Sequence, residues 1–338
     1  MGHNRNHSHH APCRVLVPGN LDGVHLGHRS LLVRAGEVAQ RLQTTGGGRV
    51  TVAALTFSPH PAQFLGTNPD IRFLTTPARK RELLLHYGAH EVLEQTFDET
   101  FAQVSTTEFA RRYVAQTWHA RAVVVGPDFR FGKGRTGDMA TLRQLGKTLG
   151  DAFDFEVVQA APALVQGEVV SSSRIRTLLA DGDVQRAAMH LGRPYDLDGV
   201  VVHGQKRGRV LGFATANLHC EPSVVIPKRG VYAVRATRVA TTPNADDTDQ
   251  TPHTAHAGTP ERMNGVMNIG VRPTVCAGEP EQMTLEVHLL GFHGTLYDQS
   301  LRVEFVTRIR DEHRFESTED LSRQIARDVA VAEQVLVA

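Results

Sequence analysis

Two textures in the sequence predict an α/β chain that ends in a smaller β domain. Residues 13 to about 185 alternate short apolar runs with stretches of helical spacing, the pattern of a parallel sheet covered by helices. After Gly192 the chain turns valine-rich and strand-like, with glycines as punctuation, which reads as an antiparallel sheet or small barrel. A third observation points to where chemistry sits. The stretch "VPGNLDGVHLGHRSLL" (17–32) places His25 and His28 three apart among glycines, between a strand and a helix.

The first domain is read element by element from period and length. "RVLV" ends a buried strand at Val15–Val17, and further strands fit Val50–Phe57, Val92–Leu93, Ala122–Val125 and Phe155–Val158. Helices fit 28–43, 77–87, 105–118, 138–149 and 173–180; the first carries Leu31, Leu32, Ala35, Val38, Ala39 and Leu42 on one stripe. "TTGGGR" (44–49) is expected as the loop after it, and Gly182 to Gly192 as a short, structured linker. In the second half, "YDLDGVVVHG", "RGVYAVRATRV", "MNGVMNIGVR", "MTLEVHLLGF" and "SLRVEFVTRI" are strand candidates. Thr318 to Val337 returns to helical spacing at Leu321, Ile325, Val329, Ala332 and Leu336, as a closing helix on the barrel. The predicted domains are 13–185 and 186–338. Residues 1–12, a polar tail with four histidines, and 241–262, almost without large apolar side chains, are expected to be disordered.

Composition narrows the partners. At 338 residues the chain is long enough for two cores, and a net charge of +1 gives no nucleic-acid footprint. Cys13, Cys220 and Cys276 are too few and too far apart for a disulfide framework or a zinc cluster. No apolar run approaches the roughly 18 residues of a membrane span, and the N-terminus lacks a signal-peptide core. The expected setting is the cytoplasm, with small-molecule substrates, no nucleic acid and no membrane; a weak homo-oligomer is left open.

The histidine loop is built for a phosphate. Free amide N–H groups at a helix start favour an anion, and Gly19, Asn20, Asp22 and Gly23 in the turn before it are expected to bind the phosphate. Two imidazoles at i and i+3 share a helix face and can aim donors at charge developing on a transferred nucleotidyl group. An isolated His-x-x-His is most often structural, but two further stretches share the character. "GPDFRFGKGRTGD" (126–138) offers Asp128 and Arg130 after a strand, and "VVSSSRIRTLL" (169–179) offers Ser171, Ser172 and Arg174 at a helix start. Each alone is at home as a solvated turn or an N-cap; together they read as phosphate and nucleotide loops.

A second centre lies in the C-terminal half. "VVHGQKRGRVLGFATANL" (201–218) places Gly204, Lys206, Gly208 and Arg209 ahead of Thr215 and Asn217. Glycines admit close backbone approach to phosphate, and hydroxyl and amide oxygens suit Mg²⁺ near phosphates. In "LEVHLLGF" (285–292), Glu286 and His288 fall on one strand face. A carboxylate there can accept the proton of an attacking alcohol.

These stretches resemble the bacterial bifunctional riboflavin kinase/FAD synthetase family. "GNLDGVHLGH", "TFSPHP", "TTPARKRELL", "VVGPDFRFGKGRTGD" and "SSSRIR" resemble its adenylyltransferase half. "LGRPYDLDGVVVHGQKRGRVLGFATANL", "PKRGVYAVRA", "GVMNIGVRPTV", "LEVHLLGFHGTLYDQSLRVEFVTRIRDEHRF" and "QIARDVAVA" resemble its kinase half. The resemblance implies a Rossmann-like nucleotidyltransferase domain and a six-stranded kinase barrel. It implies ATP and Mg²⁺, with riboflavin and FMN as substrates and FAD as product. It further implies His25 and His28 at the adenylyl transition state, Gly19, Asn20, Asp22 and Gly23 binding the ATP or flavin phosphate, Asp128 and Arg174 positioning nucleotide or flavin phosphate, Thr215 and Asn217 at the metal, and Glu286 as base toward the ribityl hydroxyl. Leu21, Ser173, Ala214, Gly291 and Thr295 depart from the family pattern, where phenylalanine, threonine, proline and two acidic residues are usual. Alanine at 214 lacks proline's fixed φ. A synthetase with a weakened kinase, or a nucleotidyltransferase for another phosphorylated small molecule, are the alternative readings.

Overall fold

The computed structural model of the chain describes residues 13–46, 48–148, 154–204, 213–239, 261–272 and 282–337. The readings made on 1–12, on most of 241–262, on Cys276, and on Lys206, Gly208 and Arg209 lie outside them. Two compact units divide at Ser172/Ser173.

The first unit is built on β1 (Cys13–Pro18), α1 (Leu26–Gly46), β2 (Val50–Ser58), α2 (Pro61–Phe64), α3 (Pro77–His86) and β3 (Glu91–Thr96). After α4 (Glu99–Ala102), a helix begins as α5 (Thr106–Glu108) and continues as a π-helix over Phe109–Thr117. Then come β4 (Ala120–Val125), α6 (Met139–Thr148), β5 (Glu156–Gln159) and a small hairpin of β6 (Leu164–Val165) and β7 (Glu168–Val169). The main sheet is parallel, in the order β3-β2-β1-β4-β5. Successive strand residues point to opposite faces. Val15, Val17, Val52, Ala54, Ala122 and Val124 pack with α1 and α3, while Leu16, Ala53, Leu55, Val123 and Val125 pack with the π-helix and α6. All five predicted strands are present.

Helix ends differ from the sequence reading for local reasons. α1 runs on to Gly46, into the expected loop, because Thr44 and Thr45 hydroxyls bond back to the Gln40 and Arg41 carbonyls. The helix expected over 105–118 widens to a π-helix, with Trp118 N donating to the Tyr113 carbonyl (2.9 Å) and Thr117 Oγ1 to that of Arg112 (2.8 Å). This widening seats Phe109, Tyr113 and Trp118 against one another.

The second unit opens with most of α7 (Ser172–Asp181), then α8 (Val184–Leu191). The domain boundary therefore falls earlier than 185/186. The physical reason is packing: α8 lies against two barrel strands, and Lys228 N donates to the Leu179 carbonyl at 2.9 Å. What reads in sequence as a linker is helix, capped by Asp183 on Arg186 N (3.0 Å) and ended by Gly192 at φ 69°.

The barrel strands are β8 (Tyr195–Val202), β9 (Ala216–Cys220), β10 (Gly230–Val239), β11 (Arg262–Arg272), β12 (Gln282–Leu289) and β13 (Ser300–Arg310). They close antiparallel in the order β10-β11-β12-β9-β8-β13. Arg262 thus belongs to a strand, so the expected disordered insertion ends before it. Tyr195, Tyr232 and Phe305 fill the interior, with the Tyr195 hydroxyl donating to the Val225 carbonyl at 2.6 Å.

The final helix, α9 (Thr318–Val337), packs on β10, β11 and β13 as its spacing predicts. Ala332 and Leu336 meet Val231, Ala233 and Val266. One polar contact fixes its register. The buried Asp328 carboxylate accepts from Arg310 Nε (3.0 Å) and Nη2 (2.7 Å) and from Gln324 Nε2 (2.9 Å). Removing one partner of such a pair leaves a charge without its counterpart. Asp328→Ala should weaken the barrel by about 3 kcal/mol, read as faster amide exchange of β10 and β13 at low denaturant. Exchange equal to that of the parent chain would refute this role.

Candidate active sites

In an open parallel sheet, ligands sit beyond the carboxyl ends of the strands where the strand order reverses. Here that point lies between β1 and β4, because β2 and β3 extend to one side of β1 and β4 and β5 to the other. The histidine loop leaves β1 there, and the loop over 126–138 leaves β4.

The histidine loop is held in an unusual backbone. Leu21 and Val24 both have positive φ (51° and 40°), which is uncommon for such residues. The Asp22 side chain over-determines this geometry. Buried, its carboxylate accepts from Leu74 N (3.0 Å to Oδ1) and from Thr75 N and Oγ1 (both 3.3 Å). Thr75 Oγ1 in turn accepts from Gly23 N. Gly23, at φ 81°, leaves no room for a side chain, since a Cβ would stand 2.7 Å from Leu74. Gly19 N donates to the Leu55 carbonyl at 3.0 Å, and Ser172 Oγ donates to the Asp22 carbonyl at 3.0 Å. Asp22 thus faces the protein, and the loop's shape depends on it.

His25 and His28 come together as the spacing predicts. Their rings stack at 3.6 Å, 19° from parallel. His25 Nδ1 accepts from His28 N (3.4 Å), as an N-cap does, so a neutral His25 ring carries its proton on Nε2. Gly27 makes the arrangement possible, because a Cβ there would press the His25 ring at 3.1 Å. Burial first, then the neighbouring His25 and Lys80, hold the His28 imidazole well below its ordinary value of 6.5. His28 is therefore a neutral hydrogen-bonding group near pH 7. Its buried Nδ1 has no partner among the described residues.

Lys80 is the residue that sequence reasoning missed. From α3 its Nζ donates to Thr56 Oγ1 (2.8 Å) at the end of β2 and to the Asn20 carbonyl (3.4 Å) in the histidine loop. Burial pulls its ammonium below the ordinary 10.5, against Asp22 and Glu94, which hold it up. The signal available was a lysine inside "TTPARKRELL", which nothing local distinguishes from Arg79 or Arg81.

In the β4 loop, Phe131 is the anchor and its neighbours are presented. Phe131 and Gly137 exchange backbone bonds at 3.0 Å in both directions, while Asp128 and Arg130 are exposed. Ser171 precedes α7, and Ser172 and Arg174 lie in its first turn, all half-buried.

On the barrel, the predicted base and the predicted oxygen ligands share one place. Asn217 of β9 pairs directly with Glu286 of β12 on one side and with Val202 of β8 on the other. Directly opposed residues hold their side chains about 5 Å apart. Leu285, Val287 and Leu218 point into the core, so Glu286 and Asn217 share the outer face. Thr215 comes just before β9, and Gly204 just after β8. A Cβ on Gly204 would overlap the Asn217 amide, so glycine alone leaves that amide its position. At the same strand end the His203 ring stacks on Tyr297 at 3.9 Å. A hydroxyl and an amide carbonyl beside a carboxylate are hard oxygen donors, the set that fits Mg²⁺ carried in with phosphates.

A glycine turn and helix start at a sheet's switch point, and oxygen donors opposite a carboxylate on a barrel, suit an enzyme that transfers phosphate groups. Comparison with known proteins gives the family. The FAD synthetase family model matches residues 7–174 and the riboflavin kinase model residues 191–336. Proteins named bifunctional riboflavin kinase/FMN adenylyltransferase are similar over nearly the whole chain. The one from Bacillus subtilis is 34% identical, covering 93% of this chain and 90% of its own length. Those from Escherichia coli K12 and Pseudomonas fluorescens are each 36% identical, covering 95% and 96% of this chain and 92% and 93% of their own lengths. A crystal structure described as a macrolide-efflux protein from Streptococcus pneumoniae superposes with a TM-score of 0.78 at 27% identity, covering 96% of this chain and 95% of its own. Among the described residues no helix is long and apolar enough to cross a membrane. The chain belongs to the bifunctional riboflavin kinase/FMN adenylyltransferase family.

The depressed His28 value has a consequence for stability. The unfolded chain takes up a proton on this imidazole as pH falls through about 6.5, while the folded chain resists it. Stability is then lost toward acid, by at most about 1.4 kcal/mol per pH unit from this group. His28→Gln should show a shallower loss between pH 6.5 and 5 in thermal melts. An unchanged slope would mean that His28 protonates freely in the fold.

Proposed function

We propose that the chain makes FAD in two ATP-dependent steps, one on each domain. The barrel phosphorylates riboflavin to FMN, and the parallel-sheet domain adenylylates FMN, releasing pyrophosphate. The observation that carries this reading is the pairing of Glu286 with Asn217 on the barrel in a chain that also holds stacked His25 and His28 at the switch point.

In the kinase step, Glu286 accepts the proton of the ribityl 5′-hydroxyl as its oxygen attacks the γ-phosphorus, and ADP leaves. Thr215 and Asn217 would hold Mg²⁺ brought in with the phosphates, and when bound it would supply charge neutralisation for the transferred group. Gly204 lets the backbone approach the phosphates; Lys206, Gly208 and Arg209, assigned to phosphate binding from the sequence, lie outside the described residues. In the adenylyl step, an FMN phosphate oxygen attacks the α-phosphorus of ATP and the P–O bond to pyrophosphate breaks. No side-chain nucleophile is needed; alignment and donors suffice. His25 and His28 supply N–H donors, that of His28 from a neutral ring, which suits charge that develops only in the transition state. Lys80 supplies the nearby cation. Asp128, Arg130, Ser171, Ser172 and Arg174 position nucleotide and flavin phosphate, and Gly19, Asn20, Asp22 and Gly23 shape the cradle. Free thiols at Cys13 and Cys220 fit a reducing compartment, and we place the enzyme in the cytoplasm.

The test begins with two reactions, one from riboflavin and one from FMN, each with ATP and Mg²⁺, followed by chromatography. FMN and then FAD from riboflavin is expected. FAD from FMN alone would mean a disabled kinase. His28→Ala should slow FAD formation by about 10²–10³-fold and leave riboflavin phosphorylation intact. Glu286→Gln should do the reverse, slowing phosphorylation by about 10²–10⁴-fold. Both steps surviving either change would remove these residues from their roles.

A further inference from the structure

The kinase centre has a tether that the strand ladder does not provide. Among the described residues, β9 and β12 pair only through Asn217 with Glu286 and Ala216 with Val287. Continued in register, the next pair would set Thr215 opposite His288, yet the ladder stops before it. Thr215 therefore lies on a segment, 213–215, that leaves the sheet at the point where its hydroxyl is needed.

A side chain takes over there. His288 sits two residues beyond Glu286 on the same outer face of β12, and its Nδ1 stands 2.8 Å from the Ala214 carbonyl oxygen. A carbonyl only accepts, so Nδ1 carries the proton and donates. Phe213 adds an edge contact to the same ring at 5.4 Å between centroids. Residue 214 is alanine, with no ring to restrict its own φ. Its position is thus set from outside, by a donor on the strand that bears the base.

We propose that His288 is a positioning residue of the kinase centre: its Nδ1–H fastens the Ala214 carbonyl to β12 and so sets Thr215 in register with Asn217 and Glu286. The proposal rests on the assignment of Thr215, Asn217 and Glu286 made above. It explains how a chain with Ala214 keeps the oxygen donors aligned with the base, since both are held by one strand. Loss of the bond should loosen Thr215 and weaken productive binding of Mg·ATP, while Glu286 stays on its strand and keeps its chemistry.

Three variants of the full-length chain separate the donor from the ring. His288→Phe keeps a ring against Phe213 and loses the donor. His288→Asn keeps an N–H close to the place of Nδ1. Thr215→Ala tests the underlying site. In His288→Phe, amides of residues 213–217 should exchange with deuterium faster than in the parent. Its KM for ATP in riboflavin phosphorylation should rise about fivefold to tenfold, the worth of one neutral hydrogen bond, with kcat changed far less. FMN adenylylation should not change, and His288→Asn should restore both exchange and KM. Unaltered exchange in His288→Phe, or equal impairment in His288→Asn, would overturn the proposal. If Thr215→Ala leaves the KM for ATP unchanged, the reading of Thr215 as a phosphate-metal ligand fails instead, and exchange still reports on the tether. Should His288→Phe not fold, His288→Ala against His288→Asn gives the same comparison.

Discussion

The adenylylation half depends on one buried carboxylate. Asp22 ties the loop after β1 to the backbone of Leu74 and Thr75, and everything in the cradle takes its position from that tie. A carboxylate that accepts amide N–H bonds is strongly held, and this one secures Leu21, Gly23 and Val24 at positive φ. The strain persists only because the surroundings leave no alternative. With the loop so held, His25 reaches its capping place and His28 stacks on it. Lys80 completes the arrangement from a different helix, joining the end of β2 to the Asn20 carbonyl.

The two centres solve the same problem by different means. On the proposed reading, both hold polar groups in place around phosphates ahead of the substrate's arrival, because preorganised dipoles cost no reorganisation during reaction. The parallel-sheet domain does so with a helix start, a strained turn and a stacked imidazole pair in which His28 is kept neutral by burial. The barrel does so with strand register, which sets Glu286 opposite Asn217, and with a side-chain bond where the register runs out. Neither needs a covalent intermediate, since phosphoryl and nucleotidyl transfer rest on alignment and charge stabilisation.

Much of this architecture is legible in the amino-acid sequence. The parallel strands, their helices, the antiparallel second half and the closing helix all follow from local period, which is a property of neighbouring residues. Period could not show the π-helix at Phe109–Thr117, because its wider turn answers to aromatic packing from several elements. α8 was hidden by brevity, although Asp183 and Gly192 mark its ends. The domain boundary moved toward Ser172 for a related reason: a helix belongs with what it packs on, whatever strand it follows.

By itself the sequence determined the fold class, the family and the residue types of both centres, because motifs of glycine, histidine, hydroxyl and carboxylate carry chemistry that is readable from residue type and spacing. Tertiary structure alone decided what each residue faces. It turned Asp22 inward as a tie, set His28 to be neutral, brought Lys80 from α3 into the histidine loop, and placed His288 on the Ala214 carbonyl. Those assignments depend on contacts between residues far apart in the chain, on burial and on strand register, and no local pattern encodes a distance between distant positions.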